Sequence, residues 1–157
     1  MQRVYKEKEV ILMKVAVINC GSAKQHKKCK AQDLYIGSLF LASQEFCKSK
    51  YDQYCILSAK YHVLLPDDIV EPYDMFLTKF SKKDKEEWSR ITAEQLLTKF
   101  PEDTEFDFYV SQSYLTYVLP YLDKAKRVYN TYLNDLGMGY KIQWFQQHTT
   151  KKLKKLF

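Results

Sequence analysis

Four short strand-like segments, two of them apolar runs, separated by longer stretches with helical spacing of their apolar residues, restrict the fold of this chain more than any other feature. The first run, Val15-Ala16-Val17-Ile18, is uninterrupted and stops at Asn19-Cys20-Gly21-Ser22. An unbroken run closed by a Gly/Ser turn predicts a strand buried on both faces, as in a parallel sheet. Tyr54-Cys55-Ile56-Leu57, ending at Ser58, predicts a second strand, Phe106–Val110 a third and Arg127–Thr131 a fourth. Lys82–Phe100 carries Trp88, Ile91, Ala93, Leu96 and Leu97 on one stripe among charges, the pattern of an amphipathic helix. Further helices are expected from Asp33 to Cys47, with Asp33 or Ser38 as cap, over Tyr114–Asp123, where Pro120 kinks or ends it, and over Tyr140–Lys152. Ala23–Gln32 and Ala59–Tyr73 read as loops. Strand and helix alternating four times imply a single three-layer α/β domain: a mostly parallel sheet of about four strands with helices on both faces.

Ligands of such sheets gather at the carboxyl ends of the strands. That rule brings four separate segments into one region: Cys20–Lys24, Ser58–Asp74, Ser111–Tyr114 and Thr131–Gly139. In the first, Gly21 lets a ligand approach the backbone, Ser22 offers a hydroxyl and Lys24 a mobile cation suited to phosphate or carboxylate. The spacing is neither that of a phosphate-binding P-loop nor of a dinucleotide fingerprint, and a plain turn with an exposed lysine fits it equally. The second crowds Lys60, Tyr61, His62, Asp67, Asp68, Glu71, Tyr73 and Asp74 between a strand and a helix. Long polar loops of this kind in compact domains are commonly functional. Here carboxylates can act as acid, base or electrostatic stabiliser, and Lys60 can bind phosphate or act as a nucleophile. Alternatively, Asp67 and Asp68 cap a turn. Gln112 or Tyr114 can read or stack on a base, and Gly137 and Gly139 can open a helix N-terminus to a phosphate.

The whole chain sets wider bounds. Its 157 residues suit one domain, with Met1–Leu12 as an N-terminal extension, residues 13–150 as the domain and Lys151–Phe157 as a basic tail. A net charge of +6 favours polyanionic partners, or else a solvated lysine-rich surface. No apolar run is long enough for a membrane span and Met1–Leu12 lacks a signal-peptide core, so a cytoplasmic protein without membrane partners is expected. The four cysteines, Cys20, Cys29, Cys47 and Cys55, form no C-x-x-C pair. Cys20, His26 and Cys29 match no standard zinc spacing, so neither a disulfide framework nor a metal or other cofactor is expected.

Several motifs occur in an order that resembles a known family. Ile56-Leu57-Ser58-Ala59-Lys60-Tyr61, then Leu64-Leu65-Pro66-Asp67-Asp68-Ile69 and Glu71-Pro72-Tyr73-Asp74, look like the peroxide-stress YaaA family, and Cys20-Gly21-Ser22-Ala23-Lys24 is similar to its early turn. The chain also resembles small bacterial and phage domains with the elements C-G-x-x-K, D-L-Y, S-A-K-Y-G-L-L, P-Y-D and a late G-x-G. Here these are Cys20/Gly21/Lys24, Asp33/Leu34/Tyr35, Ser58–Leu65, Pro72/Tyr73/Asp74 and Gly137/Gly139, spanning Val15 to about Trp144. His62 stands where that pattern has glycine, and Asp74 where the YaaA pattern has arginine, so that arginine's anion-binding role does not carry over. A related C-S-x-x-K turn occurs in domains attached to tRNA-guanine transglycosylases.

What the resemblance implies is an α/β fold with a connection to nucleic acid or to nucleobases. Three readings stand. The first is an enzyme acting on a nucleobase or glycosidic bond, with Lys24, Lys60 and Asp74 as catalytic candidates. Its ligand contacts would come from Cys20, Gly21, Ser22, Tyr35, Ser58, Tyr61, Glu71, Tyr73, Tyr114, Gly137 and Gly139. The second is a non-catalytic DNA- or RNA-binding protein using Lys27, Lys28, Lys30, Lys82, Lys83 and the tail. The third is a nucleotide-sequestering protein in phage–host conflict.

Overall fold

A computed structural model describes residues 13–150; the expected N-terminal extension and basic tail lie outside the described residues. Its central sheet is built on β1 (Lys14–Asn19), flanked by β3 (Gln53–Ser58) and β6 (Glu105–Tyr109), both parallel to it. Parallel β7 (Tyr129–Thr131) and antiparallel β4 (His62–Leu64) complete the order β4-β3-β1-β6-β7. The sheet is therefore mostly parallel, as the alternation predicts, with five strands rather than about four. The added strand lies inside the stretch read as a loop. Three residues are too few for periodicity to reveal them, and β4 forms because a tight turn folds Val63 and Leu64 back onto β3.

Side chains alternate between the two faces of β1. Val15 and Val17 join Phe106 and Phe108 of β6 under α3 (Lys82–Lys99), α4 (Gln112–Leu115) and α5 (Leu119–Lys124). Ala16 and Ile18 join Ile56 under α2 (Ser38–Lys50) and α6 (Met138–His148), which supply Phe40, Phe46 and Phe145. This is the expected three-layer arrangement, with the core on both sides of one sheet. The helix expected from Asp33 begins later: a four-residue helix α1 (Ala31–Leu34) ends at Tyr35, and α2 starts after Gly37. The break arises because Lys24 and Tyr35 form a β-bridge that holds Tyr35 in extended backbone. A two-stranded ribbon of β2 (Cys29–Lys30) and β5 (Ile69–Val70) joins the two supposed loops. Pro120 starts α5 instead of ending a helix, since a proline in the first turn forfeits no helical hydrogen bond.

The amino-terminal ends of the strands hold a polar network. Asp107 is buried at 2% exposure, with Tyr51 Oη donating to it at 2.6 Å and Asn130 Nδ2 at 2.8 Å. Asn130 also donates to Glu105 at 2.8 Å, and Lys14 lies 3.6 Å from Glu105 and 4.0 Å from Asp107. Among the described residues no helix is long and apolar enough to cross a membrane.

Candidate functional site

β3 pairs on one side of β1 and β6 on the other, so the crossovers diverge at β1. Between such diverging connections the loops part and leave a crevice at the carboxyl ends. Two contacts bridge it: the Ser111 amide donates to Asn19 Oδ1 at 2.8 Å, and Cys20 Sγ lies 3.5 Å from Tyr114 Oη. Asn19 has no place among the sequence candidates, because nothing in an isolated strand end marks a side chain that spans to another strand.

On the β3 side of the crevice the polar atoms form a chain. Ser58 is fully buried, and its Oγ accepts from the amides of Lys60 (3.2 Å) and Tyr61 (3.0 Å) while donating to Tyr73 Oη at 2.8 Å. Tyr73 Oη is in turn hydrogen-bonded to Tyr35 Oη at 2.6 Å. Burial raises the phenol pKa of Tyr35, Tyr73 and Tyr114 above the ordinary value, and the nearby Cys20 thiol pushes each the same way. These groups stay protonated at neutral pH and act as hydroxyl donors or acceptors. Cys20, Tyr35, Ser58, Tyr73 and Tyr114 are thus brought together from positions far apart in the chain.

Lys24 extends over this cluster, its Nζ 4.4 Å from the centre of the Tyr73 ring and 3.2 Å from the Ser22 carbonyl. Lys60, in contrast, is exposed and rests over Tyr61 at 5.4 Å, while Glu71 and Asp74 are exposed on the outer loop. Tyr61 ties that loop down by donating to the Glu71 carbonyl at 3.1 Å and accepting from its amide at 3.3 Å. Asp67 and Asp68 take the structural alternative. Asp68 accepts from the Leu65 amide at 2.8 Å, closing a turn, and Asp67 pairs with Lys30 at 3.4 Å and Gln32 at 3.0 Å.

A cavity of about 270 Å³ opens on the other side of Cys20. It is bounded by the turn from Cys20 to Ala23, the start of α2 at Gly37 and Ser38, and Met138 and Lys141 of α6. Both helices begin at a glycine N-cap, so no side chain closes their first-turn amides, and neither has an acidic residue in that turn. Lys141 is the one charged residue in the lining. Burial lowers its pKa, with Asp135 opposing the shift. A lysine within an ordinary helical pattern carries no signal of this position. Gly21 lines the cavity without backbone need: its φ is not positive, and a Cβ there would meet Phe40 Cβ at an ordinary 3.8 Å. Gly137 caps α6 and Gly139 faces open space, and neither lines the cavity.

His62 adopts the left-handed backbone, at φ 67°, that glycine occupies without strain. It closes the three-residue turn between β3 and β4 and stacks on Trp88 at 6.1 Å, while Trp88 Nε1 donates to the Ser58 carbonyl at 3.0 Å. Partial burial lowers the His62 pKa from 6.5, partly offset by Glu87. The folded state therefore takes up this proton less readily than the unfolded chain, so the stability His62 confers is complete above pH 6.5 and declines as pH falls below it. His62→Gly should gain stability relative to the parent protein between pH 7.5 and 5.5, as measured by paired urea titrations. A difference that is constant with pH would show that His62 titrates normally.

All four cysteines are free thiols. Among the described residues no three His, Cys, Asp or Glu side chains gather closely enough to hold a metal ion, so Cys20, His26 and Cys29 form no such cluster. No curated protein and no solved structure matches the chain. A family model does match it, over residues 15–147, from β1 through almost all of α6. With both faces of the sheet, the crevice and the cavity inside that span, the chain belongs to DUF6884, a family of unknown function.

Proposed function

We propose that the domain binds a phosphorylated nucleoside at the carboxyl ends of its strands, with the phosphate in the cavity beside Lys141 and the nucleoside toward Lys24 and Tyr73. The lining of the cavity carries this reading: it holds a half-buried lysine with no ion-pair partner among the described residues, and no carboxylate. A dianionic group placed there restores the solvation that Lys141 loses on burial, and meets the amides that the glycine caps leave open. Beside the phosphate, Tyr73, held from behind by the fully buried Tyr35, and the Cys20–Tyr114 pair supply hydroxyl and thiol groups to a sugar or base edge. Chemistry at the base or at the glycosidic bond would draw on these groups.

Calorimetric titration with 5′-mononucleotides, the matching nucleosides and inorganic phosphate tests the assignment. Mononucleotides should bind well above nucleosides, and Lys141→Ala should weaken them by about 10- to 100-fold, the loss of one charge-assisted contact. Lys141→Arg should retain most of the affinity. Equal binding of nucleoside and nucleotide, or an unchanged affinity in Lys141→Ala, would remove the phosphate from the cavity.

A further inference from the structure

Beyond the cavity, the segment from β3 to α3 and Lys24 of the turn after β1 present lysines interleaved with aromatic rings. Lys60 lies over Tyr61 at 5.4 Å, and Tyr61 packs edge-on against Tyr73 at 5.6 Å. Lys24 lies over Tyr73 at 4.4 Å and also 5.9 Å from the centre of Phe76, and Lys79 reaches the same Phe76 ring at 5.3 Å. The result is a continuous band in the order Lys60, Tyr61, Tyr73, Lys24, Phe76, Lys79. Phe76 is 38% exposed, and its neighbour Met75 is 43% exposed.

None of the three lysines takes part in an ion pair among the described residues, although Glu71 and Asp74 are exposed on the same loop. An ammonium resting on a ring face gains a modest attraction that a phosphate oxygen readily replaces. As each lysine moves onto a phosphate, the ring face beneath it is uncovered for a base. Three cations in succession exceed what one mononucleotide needs when its phosphate already sits at Lys141. Rings between the cations, Phe76 exposed and Tyr61 and Tyr73 half-buried, suit unpaired bases, since the bases of a duplex present no free faces.

We infer that this band is a track for single-stranded nucleic acid leading to the nucleotide site, so that the nucleoside bound there is one unit of a strand. The inference rests on the nucleotide reading of the cavity and shares Lys24 and Tyr73 with it, whereas Lys60, Tyr61, Phe76 and Lys79 belong to the band alone. What favours a track over a purely Coulombic surface is the interleaving itself, because a phosphate-only site has no use for rings between its lysines.

Fluorescence anisotropy with a labelled 15-nucleotide oligothymidylate and a blunt duplex of equal length, across a salt series, tests it. The single strand should bind more tightly than the duplex, with log K falling against log salt at a slope of about −2.8, the value for four phosphate contacts on a single strand, three along the band and one at Lys141. Lys60→Ala and Lys79→Ala should each make that slope shallower by about 0.7. Phe76→Ala should weaken binding about tenfold while leaving the slope unchanged, because stacking releases no counterions. Duplex binding as tight as single-strand binding, or a slope unmoved by either lysine variant, overturns the inference. Mononucleotide titrations on the same proteins separate the two proposals. Failure of the track leaves Lys141-dependent mononucleotide binding intact, with no gain from added length. Failure of the cavity reading removes the Lys141 dependence and leaves the oligonucleotide slopes to stand or fall by themselves.

Discussion

Asp107→Ala is expected to lower the stability of the domain by about 3 kcal/mol, the scale on which a buried charge network responds to losing one member. In a domain of this size that corresponds to a fall in Tm of roughly 10 °C. The effect is large because Asp107 gathers groups from three elements. Tyr51 reaches it from the end of α2, Asn130 from β7 and Lys14 from the start of β1. After truncation, Lys14 and Asn130 still have Glu105, and Tyr51 keeps its 2.7 Å hydroxyl contact with Tyr109, so the protein should remain folded at room temperature. Asp107→Asn retains an oxygen for Tyr51 but turns an amide donor toward its neighbours, and about half the loss is expected. Thermal unfolding of the three proteins settles the point. A Tm within a degree or two of the parent for Asp107→Ala would mean that water replaces the carboxylate without cost.

Ser58→Ala should cost about 2–3 kcal/mol and should also scatter the site, since one oxygen there serves three partners. With the hydroxyl gone, the Lys60 and Tyr61 amides lose their acceptor at the turn, and Tyr73 loses the donor that orients it beneath Lys24. Two measurements separate the global from the local effect. Denaturant titration reads the stability, and hydrogen exchange at the Tyr61 amide reads the opening of the turn, which should quicken beyond the global change. An amide protected as in the parent protein would show that the turn holds without the hydroxyl. The exposed Lys60 side chain makes the contrasting case: Lys60→Ala should leave stability essentially unchanged.

How far the sequence revealed this arrangement depends on the length and regularity of each element. Val15–Ile18 and Tyr54–Leu57 are apolar on both faces, and Lys82–Lys99 is five turns of clean amphipathic pattern, so the central strands and the long helix were plain. β2 and β5, at two residues each, leave no periodic trace and exist because each pairs with the other across the fold. The convergence of Cys20, Ser58, Tyr73 and Tyr114 followed from the rule that ligands gather at strand ends, whereas Tyr35 entered only through the D-L-Y element of the resemblance. Which of them touch did not, because contact depends on the path of the intervening loops. Thus Tyr35 meets Tyr73 only because the bridge to Lys24 holds the backbone of Tyr35 away from α2. Lys60 and Asp74 sit in the most polar stretch of the sequence, yet both face outward, whereas Lys141 reaches the cavity from a helix whose pattern calls only for packing.

The place of β1 at the middle of the sheet also bears on how the chain matures as it leaves the ribosome. β3 follows after α1 and α2 and can cover one side of β1 early, but the other side waits for β6, which begins only at Glu105. Throughout that interval β1 offers a bare apolar edge to whatever lies near, which is the setting in which nascent chains engage chaperones. The Ser111–Asn19 and Cys20–Tyr114 links that span the crevice belong to the same late event. A translational stall before Glu105 has emerged from the ribosome should therefore lengthen chaperone occupancy, whereas a stall after Tyr109 has emerged should not.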